Sequence, residues 1–196
     1  MTHSYIEDIK KYFEGDSYRY FIFMRSYSRY LDNKKRRETW EEVVQRYMDF
    51  MKENLGRKLS QEEYSEIHNS ILNQEVMPSM RLLWSSGESA RKNPATAYNC
   101  SYCVIDNIKR FRELMFLLMS GCGCGYSVEQ EFINKLPVIE VQTGNKLPIF
   151  IIDDSREGWS DALHHGISNW YDGNDVDFDF SHIRPLGARL KIFGGR

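Results

Sequence analysis

Apolar side chains recur at three- and four-residue steps between residues 36 and 55. Trp40, Val43, Val44, Tyr47, Met48, Met51 and Leu55 fall on one helical face, and Gly56 supplies a stop. Ser60 and Glu63 form a capping-box pattern ahead of Tyr64, Ile67, Ile71 and Leu72, so a second helix follows and packs on the first. Phe21, Phe23, Tyr27 and Tyr30 form an aromatic stretch before both. Helical periodicity accounts for these large residues as core and scaffold, with no ligand required.

After Pro78 the pattern changes. Residues 98–105 are β-prone; Phe111, Leu114, Met115 and Leu118 then mark a helix ending at Gly121. Short apolar runs at 138–141 and 149–152 read as buried strands. Asp154 with Glu157 can cap a further helix carrying Trp159, Leu163, Ile167 and Trp170, closed by Gly173. Residues 176–180 and 190–193 read as strand or loop edges. Strands alternating with helices predict a mixed α/β layer behind an N-terminal helical region. Residues 85–95, small and polar, are the joint, which gives a helical region over 1–95 and an α/β region over 96–196.

Composition narrows the setting. The chain has 196 residues, 41% hydrophobic and 14% aromatic, enough to bury a core and too aromatic for disorder. A formal charge of -2 gives no global field favouring nucleic acid or an anionic membrane. No apolar run approaches the roughly 20 residues of a membrane span, and no signal peptide opens the chain, so a cytoplasmic location is expected. Four cysteines in a reducing compartment imply free thiols, a metal site or redox chemistry.

Cys100-x-x-Cys103 followed by Cys122-x-Cys124 has the thiolate count of a zinc site. Residues three apart in a β-prone run point to opposite faces, which disfavours zinc, so no metal site is expected. Gly121-Cys122-Gly123-Cys124-Gly125 follows a helix and reads either as a glycine-rich turn or as a wall that a substrate can approach closely. Cys122 and Cys124 read as small buried fillers, and His164 and His165 as surface or half-buried residues of a helix.

Several motifs together resemble a known family. They are Phe23-Met24-Arg25-Ser26-Tyr27-Ser28-Arg29, Arg37-Glu38-Thr39-Trp40, Tyr98-Asn99-Cys100, residues 121–128, Asn134-Lys135-Leu136-Pro137, Asp154-Ser155-Arg156-Glu157-Gly158-Trp159 and residues 181–196. In that order, over nearly the whole chain, they are similar to the N-terminal part of an adenosylcobalamin-dependent, monomer-type class II ribonucleotide reductase. The resemblance implies an N-terminal helical region followed by the first strands of a ten-stranded α/β barrel. It also implies radical reduction of a ribonucleoside triphosphate, with two cysteines giving the electrons and a thioredoxin-like dithiol restoring them.

By this resemblance Cys100 matches the first of the two reducing cysteines. Asn99 and Gly123 match places where substrate lies against the backbone, and Asp106, Asn107 and Ile108 match the segment that binds a deoxynucleotide effector. Taken by itself, Asp106 also reads as a helix N-cap. The second reducing cysteine, the radical cysteine and most of the adenosylcobalamin site have no counterpart here. The Phe193-Gly194-Gly195-Arg196 end thus reads as a barrel interrupted before a complementing C-terminal fragment, leaving residues 1–196 inactive alone. The sequence departs from the family in a shorter segment between Val128 and Asp153 and in the cysteines of 121–125. A stand-alone nucleotide-binding remnant and a zinc-stabilised interaction domain are the alternatives.

Overall fold

The computed structural model describes residues 5–189, so the 190–193 edge and the Phe193-Gly194-Gly195-Arg196 motif lie outside the described residues. The chain divides into two compact units, the first running to Ala97 and the second spanning Tyr98–Ala188.

The first unit is helical: α1 (Tyr5–Tyr12), α2 (Ser17–Ser26), a short antiparallel pair β1 (Tyr30–Leu31) and β2 (Arg36–Arg37), then α3 (Trp40–Leu55), α4 (Gln61–Leu72), α5 (Met80–Ser85) and α6 (Glu88–Lys92). The helix foreseen from residue 36 begins at Trp40, because Thr39 and Glu42 close a reciprocal capping box there. The Thr39 hydroxyl accepts from the Glu42 amide at 3.2 Å, and the Glu42 carboxylate accepts from the Thr39 amide at 2.9 Å. Ser60 and Glu63 form the same device at the head of α4.

Trp40, Val43, Val44, Tyr47 and Met48 face a core completed by Phe13, Phe23, Tyr64, Ile71 and Leu83. Burying one such aliphatic side chain contributes about 1.5–3 kcal/mol. The Phe23 and Trp40 rings meet edge to face at 5.7 Å, and the Trp40 indole N–H donates to the Leu72 carbonyl at 2.9 Å, tying α3 to the end of α4. Phe21, in contrast, is exposed.

Hydrogen bonds from Arg36, helped by Lys34 and the Thr39 amide, hold the Glu42 carboxyl down to about 2 against the opposing effect of burial. A depressed folded-state pKa stabilises the fold above the ordinary carboxylate range, and this contribution is lost as pH falls toward about 2. Chemical denaturation between pH 5 and pH 2 is expected to show a fall in stability that Glu42→Gln makes shallower. Parallel pH profiles for the two proteins would contradict this.

The second unit holds β3 (Cys100–Val104), α7 (Lys109–Met119), β4 (Gly123–Ser127), α8 (Gln130–Ile133), β5 (Asn145–Lys146), β6 (Phe150–Ile151), α9 (Arg156–Tyr171), β7 (Asn174–Asp175) and β8 (Phe178–Asp179). Strands β3 and β4 are parallel with α7 as their crossover; β5–β7 and β6–β8 are parallel pairs connected through α9. Helices α7 and α9 pack together. Among the described residues each sheet is two-stranded and no barrel closes. No described helix is long and apolar enough to cross a membrane.

Three expectations are corrected here. Residues 138–141 form no buried strand: Val138 is 82% and Val141 84% exposed. The Glu140 amide donates to the Tyr171 carbonyl and the Thr143 amide to the Gly173 carbonyl, which tethers the segment without covering its apolar side chains. The same contact fixes Gly173 at φ +76°, where an added Cβ would lie 2.4 Å from the Val141 carbonyl oxygen. In the 149–152 run, Ile152 is buried but Ile149 and Ile151 are exposed beside β8. Finally, Ser155 and not Asp154 caps α9, accepting from the Gly158 amide at 2.9 Å, while Asp154 pairs with Arg184 at 3.0 Å.

Candidate active site

The parallel ribbon β3–β4 brings the chemically interesting residues together. Its register sets Cys100 beside Gly123, Ser101 beside Cys124, Tyr102 beside Gly125 and Cys103 beside Tyr126. Alternation along each strand puts Cys100, Tyr102, Gly123 and Gly125 on one face and Ser101, Cys103 and Cys124 on the other. The first four are exposed, whereas Ser101, Cys103 and Cys124 are half-buried. Helix α7 packs against both strands, and half-burial of Ser101, Cys103 and Cys124 marks theirs as the more covered face, from which Tyr126 still reaches solvent.

The Gly123 amide donates to the Asn99 carbonyl at 2.8 Å, so Asn99, Cys100 and Gly123 adjoin at the entry of the ribbon. The stretch read as a glycine-rich turn therefore becomes strand β4 from Gly123 onward, because parallel pairing with a segment more than twenty residues earlier captures it. An added Cβ at Gly123 would meet only the Asn99 carbonyl oxygen, at 3.7 Å, an ordinary contact. Packing inside this unit does not require glycine there. Its effect is to leave the backbone beside Cys100 bare.

Asp106, Asn107 and Ile108 lie at the other end of β3, in the turn into α7, about 13 Å of strand away from Cys100. The Asp106 carboxylate accepts from Arg110 Nε at 3.0 Å and from the Asn107 amide group at 2.7 Å. The Arg110 hydrogen bond is the main cause holding its pKa below the usual carboxylate range. Asp106 is not the helix cap: Asn107 Oδ1 accepts from the Lys109 amide at 3.0 Å, and Ile108 occupies the N-cap position.

The other thiols are occupied structurally. Cys122 is buried and its Sγ donates to the Tyr98 carbonyl; Cys124 sits 2.8 Å from the Ser101 hydroxyl. Burial first, and then the neighbouring Cys124, push the Cys103 thiol up, so it is protonated near neutral pH. All four cysteines are free thiols, and no three His, Cys, Asp or Glu side chains among the described residues gather as a metal site. His165 stacks on Phe150 with ring centroids 4.4 Å apart, and His164 lies 3.3 Å from the Ser168 hydroxyl. Both histidines are half-buried packing residues. Tyr102 and Gly125 were not singled out from the sequence, although their two-residue spacing from Cys100 and Gly123 was the available signal.

Comparison with known proteins bears on this ribbon. A family model described as the ribonucleotide reductase alpha domain matches residues 1–88. Adenosylcobalamin-dependent ribonucleoside-triphosphate reductases from Lactobacillus gasseri and Euglena gracilis are 26% and 27% identical to it. They cover 88% and 89% of this chain but only 33% and 26% of their own lengths. This chain matches the N-terminal part of such a reductase. A probable adenosylcobalamin-dependent reductase from Dictyostelium discoideum is 29% identical over 89% of the chain. The crystal structure of a B-12 dependent class II ribonucleotide reductase shares the fold, with a TM-score of 0.72 and 22% identity over 90% of this chain and 34% of that one. The chain thus spans about a third or less of the length of the reductases it matches.

Proposed function

We propose that this chain forms one wall of a ribonucleotide reductase active site, with Cys100 as one of its two reducing thiols and β3 and β4 as the first strands of its barrel. The observation that supports this most is the position of Cys100: an exposed thiol on the open face of a parallel ribbon, beside the bare backbone of Gly123. A sugar ring can approach that sulfur without meeting a side chain at 123. Asn99 and Gly123 are the backbone contacts of the ribose.

The chemistry needs a second thiol. Replacing the 2′-hydroxyl by hydrogen takes two electrons: two thiols become one disulfide, the hydroxyl leaves as water, and a hydrogen takes its place on C2′. A disulfide requires Cα atoms about 4.4–6.8 Å apart and side chains directed at each other. Cys103 and Cys124 face away from Cys100 and Cys122 is buried, so the partner thiol comes from a complementing polypeptide. A thioredoxin-like dithiol then reduces the pair. The substrate is a ribonucleoside triphosphate, as in the names of the relatives. Asp106, Asn107 and Ile108, at the far end of β3, are the proposed contact with a deoxynucleotide effector. Free thiols suit the reducing cytoplasm.

Adenosylcobalamin would supply the radical chemistry of such a reaction. Cavities of about 210, 280 and 310 Å³ among the described residues are each too small to enclose a corrin ring. None of these cavities fits the cofactor, and most of its site is assigned to the complementing polypeptide.

The test is reconstitution. Residues 1–196 with adenosylcobalamin, a dithiol and ATP, CTP, GTP or UTP are expected to yield no deoxynucleotide, and to yield it once the complementing polypeptide is added. Turnover by residues 1–196 alone, or none in the complete mixture, would overturn the reading. Tight nucleotide binding by the chain without any partner would instead favour a stand-alone binding module.

A further inference from the structure

On the open face of the ribbon β3 carries Cys100, Tyr102 and the half-buried Val104, and Tyr102 is the large exposed one. Tyr102 follows two residues later on the same strand, so its side chain leaves the same face about 7 Å further along. It is 65% exposed. Opposite it stands Gly125, and the ring leans across that glycine: Tyr102 Cδ2 lies only 3.4 Å from where a Cβ on Gly125 would sit. The phenol ring therefore rests in contact distance of the β4 backbone at Gly125, with its outer surface uncovered.

An aromatic ring exposed on this face, one side-chain repeat from a redox thiol, has a specific use. In a nucleotide the base projects several ångströms from the sugar, so a ring one side-chain repeat along the strand can meet it. We propose that Tyr102 is the platform on which the nucleobase of the substrate stacks when the ribose lies over Cys100. This rests on the reductase reading above. Stacking on an aromatic face tolerates any base, because every base presents a π-surface. Tyr102 therefore contributes affinity shared by all four substrates and leaves choice among them to other groups.

Two substitutions separate the ring from its bulk and its hydroxyl. Tyr102→Phe keeps the π-face; Tyr102→Leu keeps apolar volume and loses it. In the reconstituted reductase, Tyr102→Leu is expected to raise KM roughly tenfold for ATP, CTP, GTP and UTP alike, with kcat within about threefold, while Tyr102→Phe stays near the unsubstituted enzyme. The alkylation rate of Cys100 by iodoacetamide should be equal in all three proteins, since the strand itself is unchanged. An unaltered KM in Tyr102→Leu, a loss for one base only, or a fall in kcat with KM unchanged would each overturn the proposal. Cys100→Ser, assayed alongside, separates the two readings: if it turns over normally, the reductase assignment of the ribbon fails. If it is inactive while Tyr102→Leu keeps its KM, only the base platform fails.

Discussion

Cys100→Ser is expected to lower multiple-turnover deoxynucleotide synthesis by the reconstituted reductase to below about a thousandth, the scale of loss seen when an essential reacting group is removed. A serine hydroxyl cannot close a disulfide, so the two electrons the substrate needs are no longer delivered. The side chain is exposed, and folding stability should change by no more than about 0.5 kcal/mol. Cys103→Ser is the matched control. Its thiol is three residues away on the covered face, protonated and turned toward α7, and activity should stay within about threefold. Chromatographic quantification of deoxynucleotide, with circular dichroism on each variant, separates loss of chemistry from loss of fold. Equal loss in both variants would mean that the face of the ribbon does not decide which thiol reacts.

Glu38→Ala is expected to produce the largest loss of stability in the helical unit. Glu38 is buried and its carboxylate takes a two-pronged hydrogen bond from Arg46, at 2.8 and 3.0 Å, and a third from the Arg29 amide at 3.0 Å. Arg46 also donates to the Leu83 and Ser86 carbonyls, so the cluster joins α3 to α5 and to the turn that follows it. Burial, together with the nearby Arg46, pushes the Arg29 guanidinium down to about 10, a sign of how dry this cluster is. Removing the carboxylate leaves two guanidinium groups without their shared counter-charge. Breaking a buried pair in this way costs about 3–5 kcal/mol, set against a typical total stability of about 5–15 kcal/mol. Urea denaturation of residues 1–196 should show a large drop in the midpoint assigned to the helical unit. A change under about 1 kcal/mol would show that water takes over the role of the carboxylate.

What could be read from the sequence was local. The α4 capping box, the Trp40–Val43–Val44–Tyr47 stripe and the glycine stop at 56 are contained within one or two turns, and the structure forms them there. Features that depend on distant partners were harder to read. Val138, Ile139 and Val141 carry a strand's residue types, but nothing in four apolar residues says whether a layer covers them. Gly123 to Ser127 became a strand because β3 pairs with it across α7. At the two helix starts neither aspartate is the cap: Ser155 caps α9 in place of Asp154 and Ile108 holds the N-cap position of α7, while Arg184 and Arg110 draw the carboxylates aside.

The candidate site divides along the same line. That Asn99, Cys100 and Gly123 adjoin follows from the ribbon register and could not be deduced from their spacing, whereas the resemblance named all three without saying that one amide joins them. The zinc alternative weakened on alternation alone, and the structure puts Cys100 and Cys103 on opposite faces as that argument required. Tyr102 escaped notice because an aromatic residue in a β-prone run reads as core, whereas in the structure it stands exposed opposite Gly125.

The most direct measurement is disulfide mapping after one turnover without external reductant. The reconstituted reductase is given ribonucleoside triphosphate, quenched with acid, alkylated and digested for mass spectrometry. The expected result is a peptide containing Cys100 joined to a cysteine of the complementing polypeptide, in proportion to the deoxynucleotide formed, with Cys103, Cys122 and Cys124 alkylated. Deoxynucleotide formed while Cys100 remains an alkylatable thiol would contradict its role as a reducing cysteine.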